Sequence, residues 1–455
     1  MSTITFRTLG NGSEIGANSY LVGFDGQEVV LDCGIHPKKE GFEALPDFSP
    51  LDSAPLAVLV SHGHIDHCGA LPCLLREYPA TECYATQPTI SIMDRMLHNS
   101  VSVMGTLALE RGIPEYPLYS HGEVDHVIRH AYGLGFQREF ALTWDSPLRA
   151  SFHPSGHVLG SAGILLRIPG HTLFYTGDMC LAQQELMGGL ALLDDSVRID
   201  TLVIESTRGA HAKGSSITFE GEVARFARET RKVLERGGVA LVPSFALGRS
   251  QELLNVISRL MRSEELPEVP VYASGLGRAI YEIYDKYQDY LKPGAELRPL
   301  YEFKRIGDVW EKSVRRDLLK RSCIIVATSG MMIENTPSAM IAQDIVRRRK
   351  HGIFFVGYLD PETLGYRLVH AAPGDALQFE LGAHPVEVLL ENRQQFSFSA
   401  HAHREDLRWL IEHVRPKNVV FVHGDEDAIR WMCENCSGNV LKHVPEPEET
   451  LLLEA

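Results

Sequence analysis

The sequence predicts an α/β protein in two interleaved parts, a mixed-sheet domain and a parallel α/β domain inserted into it. Three observations lead there. Residues 1–205 break into short apolar runs punctuated by Gly, Asn and Asp, and several of these runs end in a charged or metal-capable side chain. Residues 206–385 alternate helical patterns with buried-strand patterns, the signature of a parallel sheet covered on both faces. From 386 to 455 the first texture returns, as it must if the middle segment interrupts one domain.

In chain order, the strands of the first part read as "ITFRTLG", "NSYLVGF", "EVVLDCG", "LAVLVSHGH", "SFHPSG", "GILLRI", "TLFYTGD" and "TLVIEST". Between the fourth and fifth, "PTISIMDRMLHNSVSVMGTLALE" spaces its apolar residues helically. In the insertion, "FEGEVARFARETRKVLERGG" is an amphipathic helix stopped by Gly-Gly, and "VALVPSF" is the strand after it. There follow the helix "GRSQELLNVISRLMR", strand "VPVYAS", helix "GRAIYEIYDKYQDYL", strand "CIIVATSG", helix "PSAMIAQDIVRRRK" and strand "GIFFVGYL". The last part holds "EVLLENRQQFSFSAHAH", the helix "REDLRWLIEHV" and the strand "NVVFVHGD", and the tail "VPEPEETLLLEA" is acidic and predicts no element.

A chain of 455 residues with 44% hydrophobic content can bury two or three cores. No apolar run is long enough to span a bilayer and the N-terminus lacks a signal peptide's basic start and apolar core, so the expectation is no membrane partner and a cytoplasmic location. The eight scattered cysteines read as reduced thiols. Cys433 and Cys436 form a C-x-x-C without a second pair at zinc-ribbon spacing. A net charge of −15 does not announce a nucleic-acid binder, so any polyanion must find a local basic cleft.

The chemistry is concentrated in "SHGHIDHCGALP", where His62, His64, Asp66 and His67 fall within six positions after an apolar strand. Imidazole with carboxylate suits zinc, and manganese or iron less well, and a turn leaving a strand can serve two neighbouring ions from alternate side chains. This stretch resembles the H-x-H-x-D-H signature of the metallo-β-lactamase superfamily. The resemblance implies further ligands at strand ends downstream, and "SGHVLGSAG" supplies His157 and "FYTGD" supplies Asp178. It also implies that Asp32 of "LDCG" supports the loop without binding metal itself.

The insertion resembles the β-CASP subgroup, which processes nucleic acid. "VIESTRG" matches its acidic motif at Glu205, "FSFSAHAH" its first late histidine at His401, and "FVHGD" its second at His423; "VPSFALGRSQELL", "VATSGMM" and "GYLDPETLGYRL" are similar to three more stretches. The last departs from the usual glycine-containing form at Asp360, Pro361 and Glu362. The implied fold is a metallo-β-lactamase αββα sandwich, 1–205 and 386–455, with a β-CASP parallel α/β domain, 206–385, inserted into it.

The implied function is a zinc-dependent ribonuclease, cutting internally by a two-metal hydroxide mechanism and leaving 5′-phosphate and 3′-hydroxyl ends. The cofactors are two zinc ions: His62, His64 and His157 hold one, Asp66, His67 and His423 the other, and Asp178 bridges them. His401, held by Glu205, is the general acid. DNA-acting members resemble one another in having an apolar residue where this chain has His423, so the expected partner is single-stranded RNA, with a homodimer or an RNA-processing complex as the assembly. The alternatives are a metallo-hydrolase acting on DNA or another substrate, and a non-catalytic scaffold subunit.

For RNA contacts, Arg249 opens a helix in "LGRSQE", and Ser329 and Gly330 lie at a strand end where a small residue beside glycine permits close approach. "RRRKH", 347–351, is the densest basic run and reads as a solvated helix end that complements the dipole. His403, His153, His121, His126 and His130 match no motif position and read as surface or structural residues.

Overall fold

The computed structural model describes residues 4–212, 218–380, 382–436, 438 and 440–454. Two compact units emerge: Met1–Ala182 with Gly188–Lys213 and His401–Ala455, and Gln183–Met187 with Gly214–Ala400.

The first unit holds two seven-stranded mixed sheets. In one the order is Leu451–Leu453, Ile4–Thr8, Tyr20–Phe24, Gln27–Leu31, Ala57–Leu59, Glu82–Thr86 and Ala131–Leu134. In the other it is Leu441–His443, Asn418–Val422, Thr201–Glu205, His171–Tyr175, Ala162–Ile168, Arg149–Pro154 and Phe140–Ala141. The period-2 alternation of a strand divides its side chains between two layers. Val203 and Val420 face inward with Phe6, Val29, Leu31, Phe152, Ile164 and Tyr175, which makes the core between the sheets. Their neighbours Leu202, Ile204, Val419 and Phe421 face outward onto Leu407, Leu410, Ile429 and Met432 of the helices Arg404–Val414 and Glu426–Asn435. On the opposite flank Val30, Val58 and Ala85 pack on Met93, Leu97 and Val101 of the helix Gln87–Arg111. The result is the predicted αββα sandwich.

That long helix begins at Thr86, whose hydroxyl accepts from the Thr89 N–H, and passes through Gly105. It ends at Gly112, whose φ of 70° is the left-handed conformation a helix C-terminus asks of its last residue. The acidic tail is not featureless: Leu451–Leu453 pairs antiparallel with Ile4–Thr8, burying Leu451 and Leu453 and exposing Leu452. Its alternation is too short to stand out among the surrounding carboxylates.

The second unit is built on a six-stranded, all-parallel sheet ordered Phe303–Arg305, Val271–Ala273, Cys323–Ala327, Val239–Pro243, Gly352–Phe355 and Arg393–Gln395. One face (Val239, Leu241, Ile325, Ile353 and Phe355) packs on the helix Pro337–Ile345. The other (Ala240, Val242, Ile324, Val326 and Phe354) packs on Phe219–Glu235 and Arg249–Arg262. From sequence the insertion ends at 385. This unit instead continues to Ala400, because Val386–Glu387 pairs with Ala376–Leu377 and Arg393–Gln395 adds the edge strand beside Gly352–Phe355. Among the described residues no helix is long and apolar enough to cross a membrane.

His351 shows how tightly this unit is packed. It is fully buried, its Nδ1 accepts from the Val239 N–H at 2.9 Å, and burial, with Lys350, Arg348 and Arg236 adding to it, pushes its pKa down to about 4. The folded value lies below that of the unfolded chain, about 6.5. Between those values the unfolded state takes up a proton that the folded state refuses, so stability is intact above pH 6.5 and declines as pH falls toward 4. His351→Asn keeps an acceptor without a titrating ring. Urea midpoints at pH 7.5 and 5 should show the native chain losing on the order of 1 kcal/mol more than the variant.

Candidate metal centre

The site lies in the first unit, at loops that leave its strands. His62, His64, Asp66 and His67 follow Ala57–Leu59, with the last two in the single turn Ile65–Cys68. Asp32 follows Gln27–Leu31, Asp178 follows His171–Tyr175, Glu205 ends Thr201–Glu205, and His423 follows Asn418–Val422. His157 sits in the loop between Arg149–Pro154 and Ala162–Ile168, and His401 lies just ahead of the helix Arg404–Val414. Residues far apart in sequence meet because sheet pairing places these strand ends side by side.

Two donor groups result. In the first, His62 Nε2 lies 2.9 Å and His157 Nε2 3.2 Å from His64 Nδ1, and both Nε2 atoms lie 3.6 Å from Asp178 Oδ2. A tetrahedral site with Zn–N bonds of about 2.0–2.1 Å sets its donors about 3.3 Å apart, so these four atoms have the spacing of a ligand set. In the second, His67 Nε2 is 3.7 Å and His423 Nε2 3.5 Å from Asp66 Oδ2, and Asp178 Oδ1 is 3.4 Å from His67 Nε2. Asp178 thus turns one oxygen to each group. Its Oδ1 and His423 Nε2 are buried without a hydrogen-bond partner, an expensive condition that a cation between them would relieve. The residues present therefore fit a metal in both groups.

The surroundings fix which ring nitrogen faces each group. Asp32, wholly buried, accepts from the Ser61 N–H and hydroxyl at 2.6 and 2.7 Å, from the Tyr175 hydroxyl at 2.7 Å, and from His67 Nδ1 at 2.7 Å. A proton held on Nδ1 leaves the Nε2 lone pair aimed at the second group, the usual arrangement of carboxylate behind a ligating imidazole. His423 is set in the same way by Thr207: Nδ1 lies 2.8 Å from the hydroxyl, which donates onward to Glu205 Oε2 at 2.5 Å. Ser61, 3.0 Å from His62 Nδ1, completes the cradle, and Asn18 ties down the ligand turn by donating its side-chain amide to the Asp66 carbonyl at 3.0 Å. Asn18, Ser61, Tyr175 and Thr207 were not singled out from sequence. Ser61 and Thr207 stand inside the motifs themselves, but nothing in the letters marks a hydroxyl as an orienting group.

Charge in the pocket is balanced by proximity. Burial, with His67 next, holds His62 well below the ordinary histidine value, and burial also lowers His64, so both rings stay neutral as ligands require. Burial alone would lower His67, but Asp178, Asp66 and Asp32 outweigh it and hold it well above its ordinary value. Burial would raise the Asp178 carboxyl, yet His423, His67 and His401 keep it well below the usual range.

His401 stands apart from the ligand sets. Its Nδ1 lies 3.1 Å from Glu205 Oε2 and 4.0 Å from Asp178 Oδ2. Glu205 also stands near enough to Asp178 and His423 to join a metal group. Its oxygens are already engaged, Oε1 by the Met179 N–H at 2.7 Å and Oε2 by Thr207 and His401, so it holds the histidine instead. Burial opposes a charge on His401, and Glu205 and Asp178 overcome it and raise the pKa.

The remaining sequence-predicted residues lie in the second unit. Arg249 is 6% exposed, and its guanidinium donates to the Phe398 carbonyl at 2.9 Å and to the Gln184 side chain, which ties down its own unit and leaves little to offer a phosphate. Ser329 Oγ accepts from the Ile333 N–H at 3.1 Å. A Cβ on Gly330 would stand 2.9 Å from the Phe245 backbone nitrogen, so the close approach that glycine permits is taken by the chain's own Phe245. His403, in the first unit, begins the helix Arg404–Val414 and lies 3.3 Å from the Arg208 guanidinium, outside the donor groups.

Comparison with known proteins agrees with this fold. A metallo-β-lactamase superfamily model matches residues 12–208, a Beta-Casp domain model 250–368, and a Zn-dependent metallo-hydrolase RNA specificity domain model 385–444. Cleavage and polyadenylation specificity factor 73 of Drosophila melanogaster is 28% identical over 434 residues, covering 94% of this chain. Endoribonuclease YSH1 of Gibberella zeae is 28% identical over 459 residues, covering 93%. The RNase J-like protein of Methanocaldococcus jannaschii is 28% identical over 420 residues, covering 91% of each chain. The chain spans 60% and 53% of the length of the first two relatives. Three family models in sequence order, over a sandwich whose strand ends gather two His/Asp donor groups, lead to one conclusion: the chain belongs to the β-CASP family of the metallo-β-lactamase superfamily.

Proposed function

We propose that this chain is a zinc-dependent ribonuclease that hydrolyses single-stranded RNA, by internal cleavage, to 5′-phosphate and 3′-hydroxyl ends. The observation that carries the reading is the shared carboxylate: Asp178 serves two adjacent donor groups, with a carboxylate-held histidine beside them. The RNA specificity match and the similarity to an endoribonuclease and an RNase J-like protein support RNA as substrate. Every motif ligand is present, which weighs against a scaffold that has lost its chemistry.

His62, His64 and His157 would hold one zinc, Asp66, His67 and His423 a second, and Asp178 both. Zinc bound there would supply a water of lowered pKa as nucleophile and positive charge to stabilise an in-line displacement at phosphorus. The protein's own part is orientation and proton supply. Asp32 and Thr207 keep His67 and His423 in the tautomers whose Nε2 faces inward. Glu205 occupies His401 Nδ1, leaving Nε2 to deliver a proton to the departing 3′ oxygen.

The test is to purify the full chain, count zinc per chain, and incubate it with labelled single-stranded RNA, the matching DNA and a chromogenic ester. RNA cleavage that a chelator stops and zinc restores is the expected result, and cutting of circular RNA, which has no end, would establish the internal mode. Bound zinc without RNA cleavage would overturn the ribonuclease reading. The orienting role of Thr207 has its own check. Thr207→Val should weaken zinc retention against a competing chelator and slow turnover by about 10–100-fold, with Thr207→Ser restoring both.

A further inference from the structure

The basic run 347–351, expected from sequence to be a solvated helix end, is exposed at 347–349 and also lines a pocket. The helix Pro337–Ile345 stops before it, and Arg347, Arg348 and Lys350 turn to line a concavity of about 620 Å³ together with Lys312, Arg316 and Lys320 from the helix Lys312–Leu318 and its end. Beneath them Arg315 is 3% exposed and fixed by Asp344 at 2.7 Å and by the Val309 carbonyl at 2.6 Å. Asp344 is the one carboxylate in the lining, and Arg315 occupies it. Among the described residues Lys312, Arg316, Arg348 and Lys350 make no ion pair, in a chain whose net charge is −15.

A concave surface lined by one sign of charge focuses its field, and among the described residues only Arg315 and Lys320 of these lining cations have an ion-pair partner, Asp344 at 2.7 Å and Asp317 at 2.6 Å. We propose that this pocket of the inserted unit is a binding site for the phosphodiester backbone of single-stranded RNA, an accessory site supplied by residues of the second unit alone. The inference rests on the ribonuclease reading for the identity of the polyanion. An acidic protein is the less fitting occupant, because protein interfaces have an apolar core depleted of charge and Leu319 is the one apolar residue of this lining. Trp310, 57% exposed, adjoins through its carbonyl, which accepts from Arg315 at 3.1 Å, and offers an aromatic face of the kind on which unpaired bases stack.

The site would hold substrate without reacting, so its loss should appear in binding and not in chemistry. The measurement is fluorescence anisotropy of a long unstructured RNA and of a short oligonucleotide, with the full zinc-loaded chain and the pair Arg316→Glu, Arg348→Glu. Both side chains are exposed and unpaired, and the milder pair Arg316→Gln, Arg348→Gln guards against a folding artefact. For the long RNA the variant should bind about 10-fold more weakly, and the slope of log affinity against log salt should fall by about 0.7 per lost contact. Zinc content and cleavage of the short oligonucleotide should stay as in the native chain. If both variants bind long RNA with the native affinity and slope, the pocket is not an RNA site, while the ribonuclease reading survives if the native chain still cleaves. If the native chain neither binds nor cleaves RNA, that reading fails first. A native-versus-variant difference on polyglutamate with none on RNA would overturn the proposal in favour of an acidic protein.

Discussion

Asp178→Ala should empty both donor groups at once and lower RNA cleavage by about 10³-fold or more, since metal-borne charge stabilisation is worth several kcal/mol at the transition state. Asp178 Oδ2 stands 3.6 Å from His62 Nε2 and from His157 Nε2, while Oδ1 stands 3.4 Å from His67 Nε2. No other side chain of the set is placed to serve both groups. His62→Ala, by contrast, touches only the first group and should leave part of the metal behind. The measurement is zinc per chain by elemental analysis beside initial rates on labelled RNA. Asp178→Asn separates charge from shape, because it preserves the volume and one acceptor but not the anion. If Asp178→Ala kept two zinc ions and its rate, the shared-carboxylate reading would be abandoned.

How much of this was legible in the sequence follows from how local each signal is. His62, His64, Asp66 and His67 crowd one turn, so their density alone announced a metal. His157, Asp178, Glu205, His401 and His423 are isolated letters that gained meaning from the motifs around them, and the sheet order explains why they meet: each lies at or just beyond a strand of the second seven-stranded sheet, or ahead of the helix on its outer face. The orienting groups Asn18, Ser61, Tyr175 and Thr207 were out of reach, because a hydroxyl or amide is informative only once its partner is known.

The fold was legible wherever periodicity ran for several residues and faded where it did not. Strands such as Thr201–Glu205 and helices such as Arg249–Arg262 stood out. Phe140–Ala141, Leu441–His443 and Leu451–Leu453 are two or three residues long, and pairing with a neighbour, not local preference, makes them strands. The same limit explains the boundary at Ala400 and the burial of Arg249. Both depend on partners distant in sequence, the strand Gly352–Phe355 for one and the Phe398 carbonyl for the other.

His401→Ala should divide chemistry from metal binding. Its Nδ1 is held 3.1 Å from Glu205, and its ring lies outside both ligand sets, so the variant should keep its zinc while losing about 10²–10⁴-fold in turnover, the range a positioned general acid contributes. The size of the loss must depend on the leaving group. A 3′ alkoxide is a poor leaving group and needs the proton; a nitrophenolate is stable without it, so an activated phosphodiester should be cleaved by the variant at nearly the native rate. Glu205→Gln should move in the same direction by less, because the imidazole remains but its charge is no longer supported and its orientation is weakened. A ligand would behave otherwise: zinc would fall, and both kinds of substrate would be lost together. That joint loss in His401→Ala would transfer the histidine from proton donor to metal ligand and require another group to protonate the departing oxygen.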